Sequence, residues 1–398
     1  MEKYLLTIGI TILLVGPTIA SVAGQRTENI GLSDTDFDQK ILHYMKLGHM
    51  PSLSACIIKN NSIVWSKAYG ECDLKNHKKA STDTIYYIAS ISKSITAVAI
   101  MQLYEKGYFK LDDDVSKWLP FDLKNPKYPD VDITFRMLLA HESSLASCGI
   151  QHYFYFYVMD YPPAWLKEFL VPGGSIYCRN AWKNYAPGKG CCYSNINFDI
   201  LGCIVEKITN EPFGQYCKEH IFEPLNMSST SFYLSEIDKT RLAVPYIWLV
   251  GRYIQVPIFD WDFACGGGKS TVIDLSHLLT MHMNGGVYGS VRILDESSID
   301  EMHRIQYPDT PDGDAYHGLG WYSQNNYDGE MYGGHAGTNI GYKSAMRMRY
   351  SDKVGVIFFY NRFQSSQLRE NFRFMGKLER YAREQIEKEL FLKANELD

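Results

Sequence analysis

Ser90 and Lys93 stand three residues apart in YYIASISKSITAVAIMQLYEKG (86–107), where an apolar helical pattern begins. Positions i and i+3 of a helix share a face, with Cβ atoms about 5–6 Å apart. The spacing therefore sets an amine beside a hydroxyl and lets the first take a proton from the second. An isolated S-x-x-K has a plainer reading, in which Ser90 caps the helix and Lys93 is a solvated charge. Two further patterns argue against it. Tyr193-Ser194-Asn195 is the only Y-x-N in the chain and precedes a helical stretch, and His335-Ala336-Gly337 is the only H-x-G and precedes a strand-like one. A hydroxyl that a neighbouring base can deprotonate is an activated nucleophile. Each pattern alone is weak. In this order, separated by about 100 and about 140 residues, they are far harder to obtain by accident.

The elements that must position these groups are legible in outline. SACIIKNNSIVWSKAYGECD (53–72) is β-branched and alternating around Asn60-Asn61, and reads as a hairpin. An amphipathic helix follows over about 91–107, with Ile91, Ile95, Val98 and Gln102 along one side. Thr134 is a good N-cap for a helix over 133–141. Helical periodicity returns at 195–210 and at 274–286, the latter ended by Gly285-Gly286. GYKSAMRMRY and KVGVIFFYN (341–361) read as strands joined at Ser351-Asp352, and a charged amphipathic helix over about 367–394 closes the chain. Strands near both ends and a helical middle predict an α+β unit, in which an antiparallel sheet forms by pairing the termini and a helical lobe, about 130–260, is inserted. A cleft between two such lobes is a common place for a site.

With 398 residues, 45% of them hydrophobic, the chain can bury a large core, and a net charge of -5 gives no support for a nucleic-acid partner. Residues 1–23 read as a signal peptide or, alternatively, an N-terminal anchor: Lys3 precedes the apolar YLLTIGITILLVG, Pro17 breaks it, and Ser21 and Ala23 supply small residues for cleavage. The remaining 24–398 reads as the folded domain, secreted or extracytoplasmic, with membrane association only through the N-terminus. The nine cysteines form no C-x-x-C pair and read mostly as small buried hydrophobes, although in an exported protein Cys178 is able to pair with Cys191 or Cys192. Asn60 and Asn226 lie in N-x-S sequons. Two motif look-alikes are set aside: CGGGKST (265–271) has Phe263 where a phosphate loop needs Gly, and HESSL (141–145) has Leu145 at the second His of a zinc-protease helix. No metal and no cofactor is expected, and oligomeric state is not specified. The aromatic QHYFYFYVMDYPPAWLKEFL (151–170) reads as lobe core or as lining of the cleft mouth.

These segments together resemble the serine β-lactamase family, in the branch of class C β-lactamases, D-alanyl-D-alanine carboxypeptidases and related esterases. The resemblance covers nearly all of the mature chain. IYYIASISKSITAVAIMQLYEKGYFKLDDDVSKWLP looks like the nucleophile segment, and ITFRMLLAHESSL is similar to LLTHTSGL, with Ser144 in place of glycine. APGKGCCYSNINFDILGCIVEKITN, IFEPLNMSSTSF, ACGGGKSTVIDLSHLL and HGLGW match further landmarks. The resemblance implies a β-lactamase/transpeptidase-like fold and a serine hydrolase acting through an acyl-enzyme on an ester, amide or D-amino-acid peptide. A β-lactamase proper and a non-catalytic scaffold on the same fold are the alternatives. It implies Ser90 as nucleophile, Lys93 as its base with a lowered pKa, and Tyr193 as proton relay. Asn195 would orient Lys93 and bind the substrate carbonyl, with helix capping as its plainer role. Ser90 and Thr338 would supply oxyanion-hole amides, and Gly337 would leave room for the acyl group. Gly333-Gly334 read as strand-edge turn residues. His335 replaces the lysine of true β-lactamases; a neutral imidazole favours a peptidase or esterase over an efficient β-lactamase.

Overall fold

The computed structural model describes residues 36–147, 164–249, 251–258, 263–325, 328–363 and 370–397. The proposed signal segment, Cys148 and most of the aromatic stretch 151–170 lie outside the described residues. The chain divides into two units, 1–36 and 37–398, and the fold below is that of the second.

An eight-stranded antiparallel sheet organises the molecule. Its strands in chain order are β1 (Ser52–Lys59), β2 (Ser62–Asp73), β3 (Lys78–Lys79), β4 (Ala315–His317), β5 (Tyr322–Asn325), β6 (Met331–Asn339), β7 (Tyr342–Arg349) and β8 (Val354–Tyr360). They lie side by side as β4-β5-β6-β7-β8-β1-β2-β3, so β8 pairs with β1 and joins the two ends of the chain as expected. The first hairpin turns at Asn60 and Asn61, whose φ values of 51° and 61° belong to the left-handed region that Asn tolerates.

The helices are α1 (Asp36–Leu47), α2 (Ser92–Glu105), α3 (Phe135–Leu139), α4 (Ala164–Leu170), α5 (Asn195–Thr209), α6 (Phe213–Cys217), α7 (Val272–Met283), α8 (Glu296–His303) and α9 (Glu370–Glu396). Side chains alternate across the sheet. Leu53, Ala55, Ile57, Val356 and Phe358 pack with Ile41 and Met45 of α1 and Ile386 and Leu390 of α9. Cys56, Ile58, Ile357 and Phe359 face the larger core, which contains α2, α5 and α7.

The α2 helix corrects one expectation. Every residue from Ser92 to Met101 is buried, so it is enclosed on all sides rather than amphipathic. The middle of the chain is also not wholly helical, since Tyr246–Leu249 and Arg252–Gln255 form a small hairpin there. Gly333 and Gly334 lie inside β6, not at a turn: a Cβ on Gly333 would meet Tyr350 Oη at 2.3 Å, and one on Gly334 would meet the Met346 carbonyl oxygen at 2.1 Å.

Candidate active site

The segment before α2 is a short 3-10 turn, Ala89–Ile91, in which Ala89 takes a φ of 48°. Ile91, not Ser90, occupies the N-cap position of α2, and no side chain caps that end. Ser90 is thereby free of the capping role. Its Oγ instead accepts a hydrogen bond from Lys93 Nζ at 3.1 Å. The neighbouring serine has other work: Ser92 Oγ accepts from the Gly268 amide at 2.9 Å, and Thr96 Oγ1 donates to the Ala264 carbonyl at 2.7 Å. Segment 264–268 is thus laced along the first turn of α2.

Lys93 is fully buried, and its second hydrogen bond goes to the Cys265 carbonyl at 2.7 Å. The Cys265 amide in turn donates to Asp199 Oδ1 at 3.2 Å. Burial alone would depress the amine's pKa, but Tyr193, Cys265 and Asp199 outweigh it and leave the pKa raised. The expected lowered pKa is therefore corrected: Lys93 sits in its site as an ammonium. Asp199, on α5, is pushed up to about 7 by burial, and its Oδ2 has no hydrogen-bond partner.

Tyr193 lies just before α5, its ring centroid 5.0 Å from Lys93 Nζ. Ser194 holds the N-cap position of that helix, so capping is not the work of Asn195. The Asn195 amide donates to Ser147 Oγ at 2.9 Å, while its side-chain Oδ1 is buried without a partner. Among the described residues Asn195 makes no hydrogen bond to Lys93, so the expected orienting contact is absent; the hydrogen bonds to Ser90 and Cys265 orient the amine instead. The unpaired Oδ1 remains free for a ligand.

His141 went unrecognised in the sequence, inside a segment set aside as a false zinc motif. Its ring lies 4.3 Å from that of Tyr193, and its Nδ1 accepts from the Ser194 amide at 3.1 Å. It thus positions the Tyr193 segment. Burial, with His317, Lys93 and His335 nearby, holds it well below the usual imidazole range. Cys265 lies in the other segment set aside, the false phosphate loop, and acts through its backbone. Lys269 of that loop is buried and donates to the Phe232 carbonyl, which leaves no phosphate cradle.

His335 projects from β6, buried, with its ring 6.3 Å from Tyr193 and 5.3 Å from Tyr322. Desolvation and the Lys93 charge hold its pKa well below the usual value, so it is neutral as expected. Its Nδ1 lies 2.8 Å from the Ala336 carbonyl oxygen, which accepts only, so Nδ1 carries the proton. Nε2 is left as an acceptor.

Strand β5 pairs with β6 only from Met331 to Gly334, so beyond that point the β6 edge is open and lies against the 3-10 turn. Thr338 is on this open stretch with its side chain exposed. Gly337 is required there for a reason other than the one expected: a Cβ would meet the Ile88 carbonyl oxygen at 2.2 Å and Ser344 Oγ at 2.3 Å. The space it leaves is filled by the serine's own turn. Ser344 Oγ donates to that same Ile88 carbonyl at 2.7 Å and pins the turn to the sheet.

The eight described cysteines are free thiols, so Cys178 is not paired with Cys191 or Cys192. Among the described residues, no helix is long and apolar enough to cross a membrane.

The chain is 28% identical over 333 residues to Protein flp of Staphylococcus aureus (strain N315), covering 83% of this chain and 63% of the relative. It is 28% identical over 339 residues to Beta-lactamase-like protein 2 of Dictyostelium discoideum, covering 81% of this chain and 58% of that one. The chain thus spans less than two-thirds of the length of these relatives. The octameric penicillin-binding protein homologue from Pyrococcus abyssi superposes with a TM-score of 0.68 at 29% identity, over 82% of this chain and 72% of that one. D-amino acid amidase from Ochrobactrum anthropi superposes with a TM-score of 0.68 at 23% identity, over 88% and 99%, and shares the fold. The Beta-lactamase family model matches residues 37–378, so most of the chain, including every site residue above, belongs to the Beta-lactamase family.

Proposed function

We propose that the protein is a serine hydrolase that acts through an acyl-enzyme on an ester, an amide or a D-amino-acid peptide. The observation that carries this reading is the hydrogen bond from the buried Lys93 ammonium to Ser90 Oγ at 3.1 Å, with Tyr193 against the same amine. A buried cation held by one small hydroxyl and one backbone carbonyl is a poor structural device, because an ion pulled from water needs strong partners. It is a good device for stabilising an alkoxide.

In this reading Ser90 Oγ attacks the substrate carbonyl, and a covalent ester replaces the scissile bond. The Ser90 proton passes to the Lys93–Tyr193 pair, which accepts it once the pair has released one proton to solvent. Tyr193 then returns the proton to the leaving group, and water reverses the sequence to release the acid. Backbone amides of Ser90 and Thr338 meet the developing oxyanion; one such donor is worth about 2.7–4 kcal/mol. The unpaired Asn195 side chain holds the substrate's own amide or ester. Neutral His335 supplies no cation for a carboxylate, which favours esterase or peptidase chemistry over β-lactam hydrolysis.

The test is a panel of p-nitrophenyl esters, D-Ala-D-Ala peptides and nitrocefin, assayed on the full chain and on Ser90→Ala. Hydrolysis of an ester or peptide that vanishes in Ser90→Ala is expected. Absence of turnover on the whole panel, with no covalent labelling by a fluorophosphonate, would favour a scaffold; nitrocefin as the best substrate would favour a β-lactamase.

A further inference from the structure

Beside the Tyr193 segment stand three donors that the acyl chemistry leaves unused. Cys191 is two residues before Tyr193, Asp312 lies on the turn before β4, and His317 ends β4. The Cys191 Sγ, an Asp312 carboxylate oxygen and a His317 ring nitrogen all lie within 4.8 Å of one another. His317 Nε2 is 3.5 Å from Asp312 Oδ2. Two ligands about 2.0–2.1 Å from a tetrahedral ion stand roughly 3.4 Å apart, and a sulfur ligand at about 2.3 Å a little farther. The Asp–His edge is thus already set, and Cys191 has only a short distance to move. Among the described residues, no hydrogen bond engages Cys191 Sγ.

The two loops do not meet by chance. Glu142, buried, accepts from the Gly190 amide at 3.1 Å through Oε2 and from Thr310 Oγ1 through Oε1. One carboxylate therefore grips the loop that carries Cys191 and the turn that carries Asp312. Further backbone bonds brace both: the Cys192 amide donates to the His141 carbonyl at 2.9 Å, and the Asp312 amide to the Ala315 carbonyl at 2.9 Å. Such pre-arrangement reduces the ordering that a bound ion must impose.

We propose that Cys191, Asp312 and His317 form a zinc site of three protein ligands, with a fourth position open to water, on the rim of the catalytic cleft. The donor set selects the ion class. A thiolate beside an imidazole and a carboxylate suits a borderline ion such as Zn²⁺, whereas Mg²⁺ and Ca²⁺ take oxygen ligands. Cys191 and His317 are half-buried and Asp312 is exposed, which leaves the ion a route from solvent. The site also reaches the chemistry. The His317 ring lies 5.0 Å from His141 and 6.5 Å from Tyr193, so ligation ties the 312–317 turn to the segment that presents the phenol.

Cobalt(II), a spectroscopic stand-in for zinc, tests the site on the full reduced chain. Titration is expected to saturate at one equivalent, with a thiolate-to-cobalt charge-transfer band in the near ultraviolet, and zinc is expected to abolish the band by displacement. Cys191→Ser should lose the band and His317→Ala should lose one-equivalent saturation, while Cys192→Ser keeps both. Metal-free melting curves that match wild type show that the variants fold. A band that survives in Cys191→Ser, or saturable binding absent from the wild-type chain, overturns the proposal; neither result bears on whether Ser90 is acylated.

Discussion

The Cys265 carbonyl accepts a hydrogen bond from Lys93 Nζ at 2.7 Å, and the same residue's amide is held by Asp199. A single residue's backbone thus links the buried ammonium to a buried carboxyl. Lys93 needs this anchor because it has lost water on every side, and a carbonyl dipole is one of the few partners that does not neutralise it.

Asp199 gives this link a pH signature. Burial raises its folded pKa from 3.8 to about 7. Between those values the folded state keeps a proton that the unfolded chain has released, so stability falls as pH rises through the window. A tenfold difference in proton affinity between the two states is worth on the order of 1.4 kcal/mol. Asp199→Asn keeps an oxygen for the Cys265 amide and removes the titration. Urea unfolding of both proteins at pH 4.5 and 7.5 is expected to show the variant gaining a few kcal/mol on wild type at the higher pH. Parallel stabilities at the two pH values would remove Asp199 from this role.

Ser90→Ala is expected to abolish labelling by a fluorophosphonate and all turnover while leaving the fold nearly unchanged. Ser90 caps no helix, so only the hydrogen bond from Lys93 is lost, on the order of 1–3 kcal/mol with a charged donor. Peptide mapping of the labelled protein checks the site of attachment. Label found elsewhere, or undiminished in the variant, would refute the assignment of the nucleophile.

Lys93→Ala and Tyr193→Phe should each lower kcat by roughly 10²–10⁴-fold, the usual contribution of a positioned proton-transfer group. Added to Ser90→Ala, either should cost almost nothing more, because groups that act as one unit are strongly non-additive. Steady-state rates of the single and double variants decide it. Losses that multiply would mean that the three residues do not share a step.

How much of this was legible depended on whether the signal was local. Ser90 and Lys93 meet through one helical turn, so their spacing alone placed them together, and the 3.1 Å contact agrees. The pairing of β1 with β8 followed from alternation at both ends of the chain. What failed was everything decided by enclosure. Helix α2 looked amphipathic because Gln102 and a few polar residues punctuate it, yet the sheet and the helical lobe cover it on all sides. The pKa direction of Lys93 is not local for a related reason: burial by itself predicts a lowered value, but the partners Cys265 and Asp199 that raise it lie 172 and 106 residues away along the chain. His141 and Cys265 were hidden inside failed motif matches, where discarding the motif also discarded the residues. Asp199 had left a trace, a lone acid among the apolar residues of NINFDILG, four residues after Asn195 and so on the same helical face.

Gly337→Ala should damage the site from behind. The new methyl would meet the Ile88 carbonyl oxygen at 2.2 Å, a backbone atom unable to swing aside as the Ser344 hydroxyl can. Overpacking of this kind costs about 1–3 kcal/mol. Because the displaced atom belongs to the turn that carries Ser90, kcat is expected to fall more than KM rises. Thermal melting with steady-state kinetics reads both effects, and unchanged kcat with unchanged stability would contradict the packing.

His335 bears on substrate class, and its neighbours decide how. The neutral ring, with Nδ1 committed to the Ala336 carbonyl, offers an acceptor at Nε2 and no positive charge. Uncharged acyl esters should therefore be hydrolysed faster than nitrocefin. His335→Lys puts a second amine in a buried position where both desolvation and the Lys93 charge oppose its protonation. The gain for carboxylate-bearing substrates should thus stay within about tenfold, on the order of 1 kcal/mol, and activity on esters should decline. Comparing kcat/KM for both substrate types across wild type, His335→Lys and His335→Ala measures the preference directly. Nitrocefin preferred by the wild-type protein, with no change of preference in either variant, would show that substrate class is set elsewhere in the cleft.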